Sequence, residues 1–98
     1  MKQARFTRLA RSELLAQIAH HEQLAVGLGA RFRSEVEAAA HQAAAYPLHG
    51  KPSAGETRRR LVSGFPFSVV YTEEASGVLI HAVADGRRSP DYWLSRVR

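Results

Sequence analysis

Apolar and polar residues change their period along this chain near residue 58. Before it, apolar positions recur every three to four residues. After it, they alternate. Leu14, Ile18, His21 and Ala25 are spaced by four, three and four, which places them on one side of a helix. Glu13, Gln17 and Glu22 fall elsewhere on that wheel. Gly27-Leu28-Gly29 interrupts the pattern, as glycine does at a helix end. A second helix is predicted from about Ala30 to Ala45, with Phe32, Val36, Ala39, Ala40 and Ala43 as its apolar stripe. Its alanines favour helix and let a neighbour approach closely. Tyr46-Pro47 ends it, because the residue before proline disfavours helix. Two helices joined by a short glycine turn form a helical hairpin.

The rest of the chain reads as short strands. Phe6 to Leu9 alternates briefly and suits a first strand, with Thr7 or Ser12 able to cap the helix that follows. Leu48 to Thr57, rich in glycine and proline, reads as a loop. Arg58 to Val62 is a strand, and Ser63-Gly64 a tight turn. Phe65, Phe67, Val69 and Tyr71 then share one face, with Ser68, Val70 and Thr72 on the other. Glu73 to Gly77 turns the chain. Val78, Ile80, Ala82 and Ala84 alternate with Leu79, His81, Val83 and Asp85 in a last strand. Ser89-Pro90-Asp91 has the chemistry of a helix start, and Tyr92, Trp93 and Leu94 would anchor a short terminal helix. The expected class is α+β: an N-terminal strand, a two-helix hairpin packed on a small antiparallel sheet, and a short C-terminal helix.

Ninety-eight residues are expected to form one domain, spanning residues 1–98. Such a chain holds one core and has no room for a deep substrate cavity, so any activity should sit on a surface groove or be completed by a partner. The formal charge is +5, from twelve Arg and two Lys against nine acids. A small, arginine-rich surface suits nucleic acid or an acidic protein segment. The absence of cysteine removes disulfides, thiol catalysis and thiolate metal sites. The first fifteen residues carry Arg5, Arg8, Arg11 and Glu13 and have no unbroken apolar run, which excludes a signal peptide or membrane span there and makes the cytoplasm the expected location.

Candidate chemistry is sparse. His20, His21, His41, His49 and His81 form no metal-binding spacing, and no metal or other cofactor is expected. Glu35 and Glu37 face different ways on a helix. No nucleophile elbow or glycine-rich phosphate loop occurs. The basic groups remain. Arg58, Arg59 and Arg60 enter the sheet, and Arg87 and Arg88 leave it, with His81 mid-strand near that exit. Were these groups to converge, they would hold a phosphate beside Tyr92. Tyr92 could move a proton only if the arginines lowered its pKa from about 10. Trp93 reads as core.

Arg60-Leu61, Phe65-Pro66-Phe67-Ser68-Val69, Tyr71, Ala82-Val83, Arg87-Arg88-Ser89-Pro90 and Tyr92-Trp93 occur in an order that resembles the RelE/ParE superfamily of bacterial toxins from type II toxin–antitoxin systems. The resemblance covers nearly the whole chain. It implies a cognate antitoxin that wraps the toxin, and a toxin–antitoxin hetero-oligomer. It also implies one of two targets. RelE-type members cleave mRNA on the ribosome without metal, and by position Arg60, Arg88 and Tyr92 look like their catalytic set, with Arg58, Arg59, Arg87 and His81 as phosphate- or target-binding residues. ParE-type members lack such a set and poison DNA gyrase. The second helix here carries Glu35, Glu37, His41 and Gln42, no lysine pair, and only Arg31 and Arg33 as cations, which leans towards the gyrase type. A third possibility is a non-toxic, antitoxin-binding regulatory subunit.

Overall fold

The computed structural model describes residues 2–97. Its elements are β1 (Gln3–Phe6), α1 (Arg8–Leu24), α2 (Leu28–Ala45), β2 (Lys51–Ser53), β3 (Thr57–Leu61), β4 (Phe67–Glu74) and β5 (Gly77–Asp85). The strands make one sheet in the order β1-β5-β4-β3-β2. All neighbours are antiparallel except β1, which runs parallel to β5. The small antiparallel sheet expected from the sequence is present as β3-β4-β5, and the N-terminal strand joins its β5 edge in parallel, which makes the whole sheet mixed. The whole hairpin and the other strands lie between β1 and β5 in sequence, which gives the chain the long crossover that a parallel pair needs.

The first strand lies earlier than its alternation suggested. Thr7 is extended, and its Oγ1 accepts the N–H of Ala10 at 3.1 Å, so α1 starts at Arg8 and takes Leu9 with it. Phe6 pairs with Ile80 instead. Gly77 (φ 147°) makes this pairing possible, since a Cβ there would overlap the Gln3 carbonyl oxygen.

The hairpin follows the helical stripes. Leu14 and His21 of α1 are buried, and so are Phe32, Val36, Ala39, Ala40 and Ala43 of α2. Ala25 lies past the end of α1 and is exposed. Gly29 lets the helices touch: a Cβ at this position would sit 2.6 Å from the Ile18 carbonyl oxygen. Glu22, off the apolar stripe, has a task of its own. Its carboxylate accepts the N–H groups of Gly27 and Gly29 at 3.0–3.1 Å, placing a negative charge at the start of α2.

Phe67, Val69 and Tyr71 of β4 share the face under the helices, as their alternation predicts. In β5 the alternation breaks. Tyr71 pairs with Ile80 and Val70 with Ala82, so His81 is an extra residue in a β-bulge. The bulge exchanges faces: Val78, Ile80 and Val83 pack towards the helices, while Ala82 turns to the other side. The simple two-residue pattern read from sequence thus holds only up to Ile80.

Two further expectations change. The 48–57 loop contains the three-residue edge strand β2, in which Pro52 pairs with Arg58. An edge position tolerates proline because one side of the strand needs no ladder donor. The C-terminal segment is a run of tight turns ending in a 3-10 turn at Leu94–Arg96, without a regular helix. Backbone bonds join Leu94 to Asp91 and Arg96 to Trp93 at 2.9 Å. Ser89 Oγ donates to the Asp91 carboxylate at 3.2 Å and caps no backbone group. Trp93 from this segment is 1% exposed and packs with Val70 and Ala82 on the outer face of the sheet, flanked by Ala84, Tyr92, Leu94 and Val97. No helix among the described residues is long and apolar enough to cross a membrane.

Candidate functional site

The strand register decides where each arginine goes. Arg58 lies opposite Tyr71 and Arg60 opposite Val69, on the helix-covered side of β3. Arg59 lies opposite Val70, on the outer side. The three adjacent arginines thus divide between two faces. Arg58 is committed to structure, as its guanidinium donates to the Gly50 carbonyl at 2.8 Å and ties the return of the chain into β2. Arg60 borders a cleft with Glu35, Ala38 and Gln42 of α2. Arg59 donates to Ser53 Oγ at 3.0 Å.

At the other end of the sheet, Arg87 forms a forked pair with Asp85 at 2.8 and 2.9 Å. That hydrogen bond holds the Asp85 carboxyl below its usual range and raises Arg87. Arg88 stacks on Tyr92, its guanidinium carbon 3.8 Å from the ring centre. The two basic groups do approach each other. Arg59 and Arg88 border one small hollow beside Asp85, and Arg59 and Arg87 border a larger groove of about 700 Å³. Arg60 reaches the rim of that groove, but no contact joins it to Tyr92 among the described residues.

Tyr92 is engaged elsewhere. Its hydroxyl donates to Glu13 Oε2 at 2.7 Å. Burial raises its pKa, and the Glu13 hydrogen bond and charge raise it further, overriding the lowering by Arg96 and Arg88. The condition for proton transfer, a phenol made more acidic by arginines, is not met. His81 is 8% exposed, and its Nε2 lies 2.8 Å from Thr72 Oγ1. Burial first, and then Arg96, lowers its pKa. It faces a separate hollow with Thr72, Glu73 and Arg96, away from the arginine groove.

Glu13 is the residue that sequence reasoning missed. Beyond Ile80, β1 no longer covers the edge of β5. Glu13 Oε1 accepts the Val83 N–H there at 3.0 Å. Arg96 donates to both Glu13 oxygens at 3.0–3.1 Å and to the His81 carbonyl at 3.0 Å. Three side chains thereby occupy the polar edge where another strand would pair. The sequence carries no signal for this, because Glu13 and Arg96 stand 83 positions apart.

The arrangement offers cations, an apolar floor and a blocked phenol. It suits holding an anionic partner better than moving a proton. No group of three or more His, Cys, Asp or Glu side chains among the described residues could hold a metal ion.

Comparisons with known proteins bear on the family and the fold. The profile described as "ParE toxin of type II toxin-antitoxin system, parDE" matches residues 4–90. A solved chain from a structure titled "Chromosomal ParDE TA system from P. aeruginosa" superposes with a TM-score of 0.72 at 19% identity, covering 87% of this chain and 96% of that one. At that identity the likeness bears on the fold. Nothing among curated protein sequences matches significantly.

Proposed function

Because the chain belongs to the ParE toxin family of type II toxin–antitoxin systems, we propose that it inhibits growth by binding DNA gyrase and that a cognate antitoxin neutralises it by covering its surface. The observation that carries the binding mode is the state of Tyr92. Its hydroxyl is held by Glu13, and its pKa is raised. An RNA-cleaving centre needs a group that takes a proton from the 2′-hydroxyl and cations that hold the phosphate beside it. Here Arg60 stands on the helix-covered side of β3, apart from Tyr92, and Arg87 is neutralised by Asp85. Without an assembled acid–base pair, affinity for a macromolecular target is the activity that this surface supports. Gyrase as that target is supported by the family resemblance and by α2, where Glu35, Glu37, His41 and Gln42 stand and no lysine pair does.

The test is induced expression of the chain without antitoxin, with DNA topology and translation followed in parallel. Filamentous growth and gyrase-linked DNA breaks are expected, together with inhibited supercoiling by purified gyrase. Immediate loss of protein synthesis with cuts in translated mRNA would overturn the reading in favour of a ribosome-dependent nuclease. Unimpaired growth would leave an antitoxin-binding subunit without toxicity.

A further inference from the structure

The turn that joins α1 to α2 stands clear of the rest of the molecule. Val26 in that turn is 98% exposed, the most exposed large apolar side chain among the described residues, and Leu24 is 64% exposed. A Cβ at Gly27 would meet nothing within 4 Å. Every residue from Gln23 to Ala30 is uncharged, although 23% of the chain is charged. Single apolar side chains scattered over a surface are ordinary. Two within three residues, on a projecting turn, make an apolar knob.

The knob is held in shape. Across the turn, the Leu28 N–H donates to the Ala25 carbonyl at 3.1 Å. Gly27 takes φ 85° and ψ −10°, as the third residue of a type II turn must. The Glu22 carboxylate accepts the N–H groups of Gly27 and Gly29 at 3.0–3.1 Å, which ties both sides of the turn to the last turn of α1. The backbone that carries Val26 is thus ordered before any partner arrives, and little ordering entropy is lost on docking.

Charge decides the kind of partner. Nucleic acids and anionic lipid surfaces are gripped by Lys and Arg, and the knob has neither. Arg31, the next cation along the chain, turns back so that its guanidinium carbon lies 5.7 Å from the Phe65 ring centre. An acidic protein segment finds no cation on the knob for the same reason. A second copy of this chain offers no seat. Two convex knobs bury little area against each other, and each of the larger hollows among the described residues is bordered by charged side chains. The matching surface is an apolar hollow on a different protein.

We infer that the tip of the helical hairpin is the element that docks on the target, with Val26 and Leu24 seated in an apolar hollow of the gyrase protein and Glu22 fixing the turn that presents them. This rests on the gyrase reading above and adds to it the part of the toxin that makes the contact.

The experiment measures inhibition of plasmid supercoiling by purified gyrase, with wild-type toxin and its variants titrated side by side. Val26→Asp should raise the inhibitory concentration about ten- to a hundredfold, because a buried apolar contact is replaced by a carboxylate that must lose its water. Its Tm should stay within about 4 °C of wild type, since the side chain touches no core and a negative charge suits the start of α2. Glu22→Ala should weaken inhibition by a smaller factor, because the knob remains but its turn is loosened. Leu15→Gln and Leu61→Gln, at two other exposed apolar positions, should leave inhibition unchanged. Equal inhibition by Val26→Asp and wild type would overturn the inference, as would an equal loss in the Leu15 and Leu61 variants. So would a wild-type dimer in analytical ultracentrifugation that Val26→Asp abolishes, or loss of antitoxin capture by Val26→Asp with inhibition intact. Failure of the wild-type chain itself to inhibit gyrase would overturn the underlying reading, a result distinct from any difference between variants.

Discussion

Under the helices, Phe32, Val36, Phe67, Val69, Tyr71, Val78, Ile80 and Val83 are all buried, and α2 adds four buried alanines. On the opposite face the buried set is Val70, Ala82 and Trp93, with a few half-buried neighbours. The first face is sealed by apolar area spread over two helices and three strands. The second is sealed by one indole, and the segment carrying it is held by Glu13, Tyr92 and Arg96. Area distributed over many contacts is non-directional and insensitive to salt or pH. A clamp of few polar contacts is directional, and loss of one member leaves the others without partners. Lys51 and Arg59, direct cross-strand neighbours of like charge, also lie on this outer face. The two faces of one sheet are thus held by different kinds of interaction.

The largest effect should come from the helix-covered face. Phe32→Ala removes a fully buried ring that packs against His21, Phe65 and Phe67, and should cost about 3–5 kcal/mol, read by urea unfolding. A cost below 1 kcal/mol would mean that this core does not dominate.

Glu13→Ala should follow, at about 2–4 kcal/mol. It strips the acceptor from Val83, Tyr92 and Arg96, and Arg96 has only 20% of its side chain exposed. Hydrogen exchange should rise at Val83 and the C-terminal turn while α2 stays protected. Uniform loss of protection would show that the two faces are not independent.

Tyr92→Phe should cost about 1–2 kcal/mol for the lost hydroxyl bond and leave growth inhibition intact. Abolished toxicity in a folded protein would return Tyr92 to the catalytic set.

The smallest effect concerns pH. Burial and Arg96 lower the His81 pKa in the folded state, so the unfolded chain binds the proton more readily. This contribution is present above the ordinary histidine value of about 6.5 and is lost as pH falls through the lower folded value. Tm should fall modestly from pH 7 to 5, and His81→Gln should flatten that part of the profile. A Tm that rises over this interval would contradict the buried, neutral ring. Asp85, held down by Arg87, acts in a separate window below the ordinary carboxylate range.

Much of the architecture was legible because local rules set it. The stripe Phe32, Val36, Ala39, Ala40, Ala43 became the buried side of α2 almost unchanged. Phe67, Val69 and Tyr71 kept to one face because strand geometry alone puts them there. The site was less legible. Arg58, Arg59 and Arg60 read as one basic cluster, yet the pleat divides them. Tyr92 read as a possible proton carrier among arginines, and it met a carboxylate from the other end of the chain.

The sequence by itself determined the class of fold, the hairpin, the order of the principal strands and the basic, cysteine-free character of the surface. These depend on periodicity, propensity and composition, which act over a few residues or over the whole chain. Tertiary structure decided the parallel seat of β1, the edge strand at Pro52, the bulge at His81, the collapse of the terminal helix into a 3-10 turn around Trp93, and the meeting of Glu13 with Tyr92 and Arg96. Each depends on a contact between residues far apart in sequence, whose energy exists only once the sheet has brought them together.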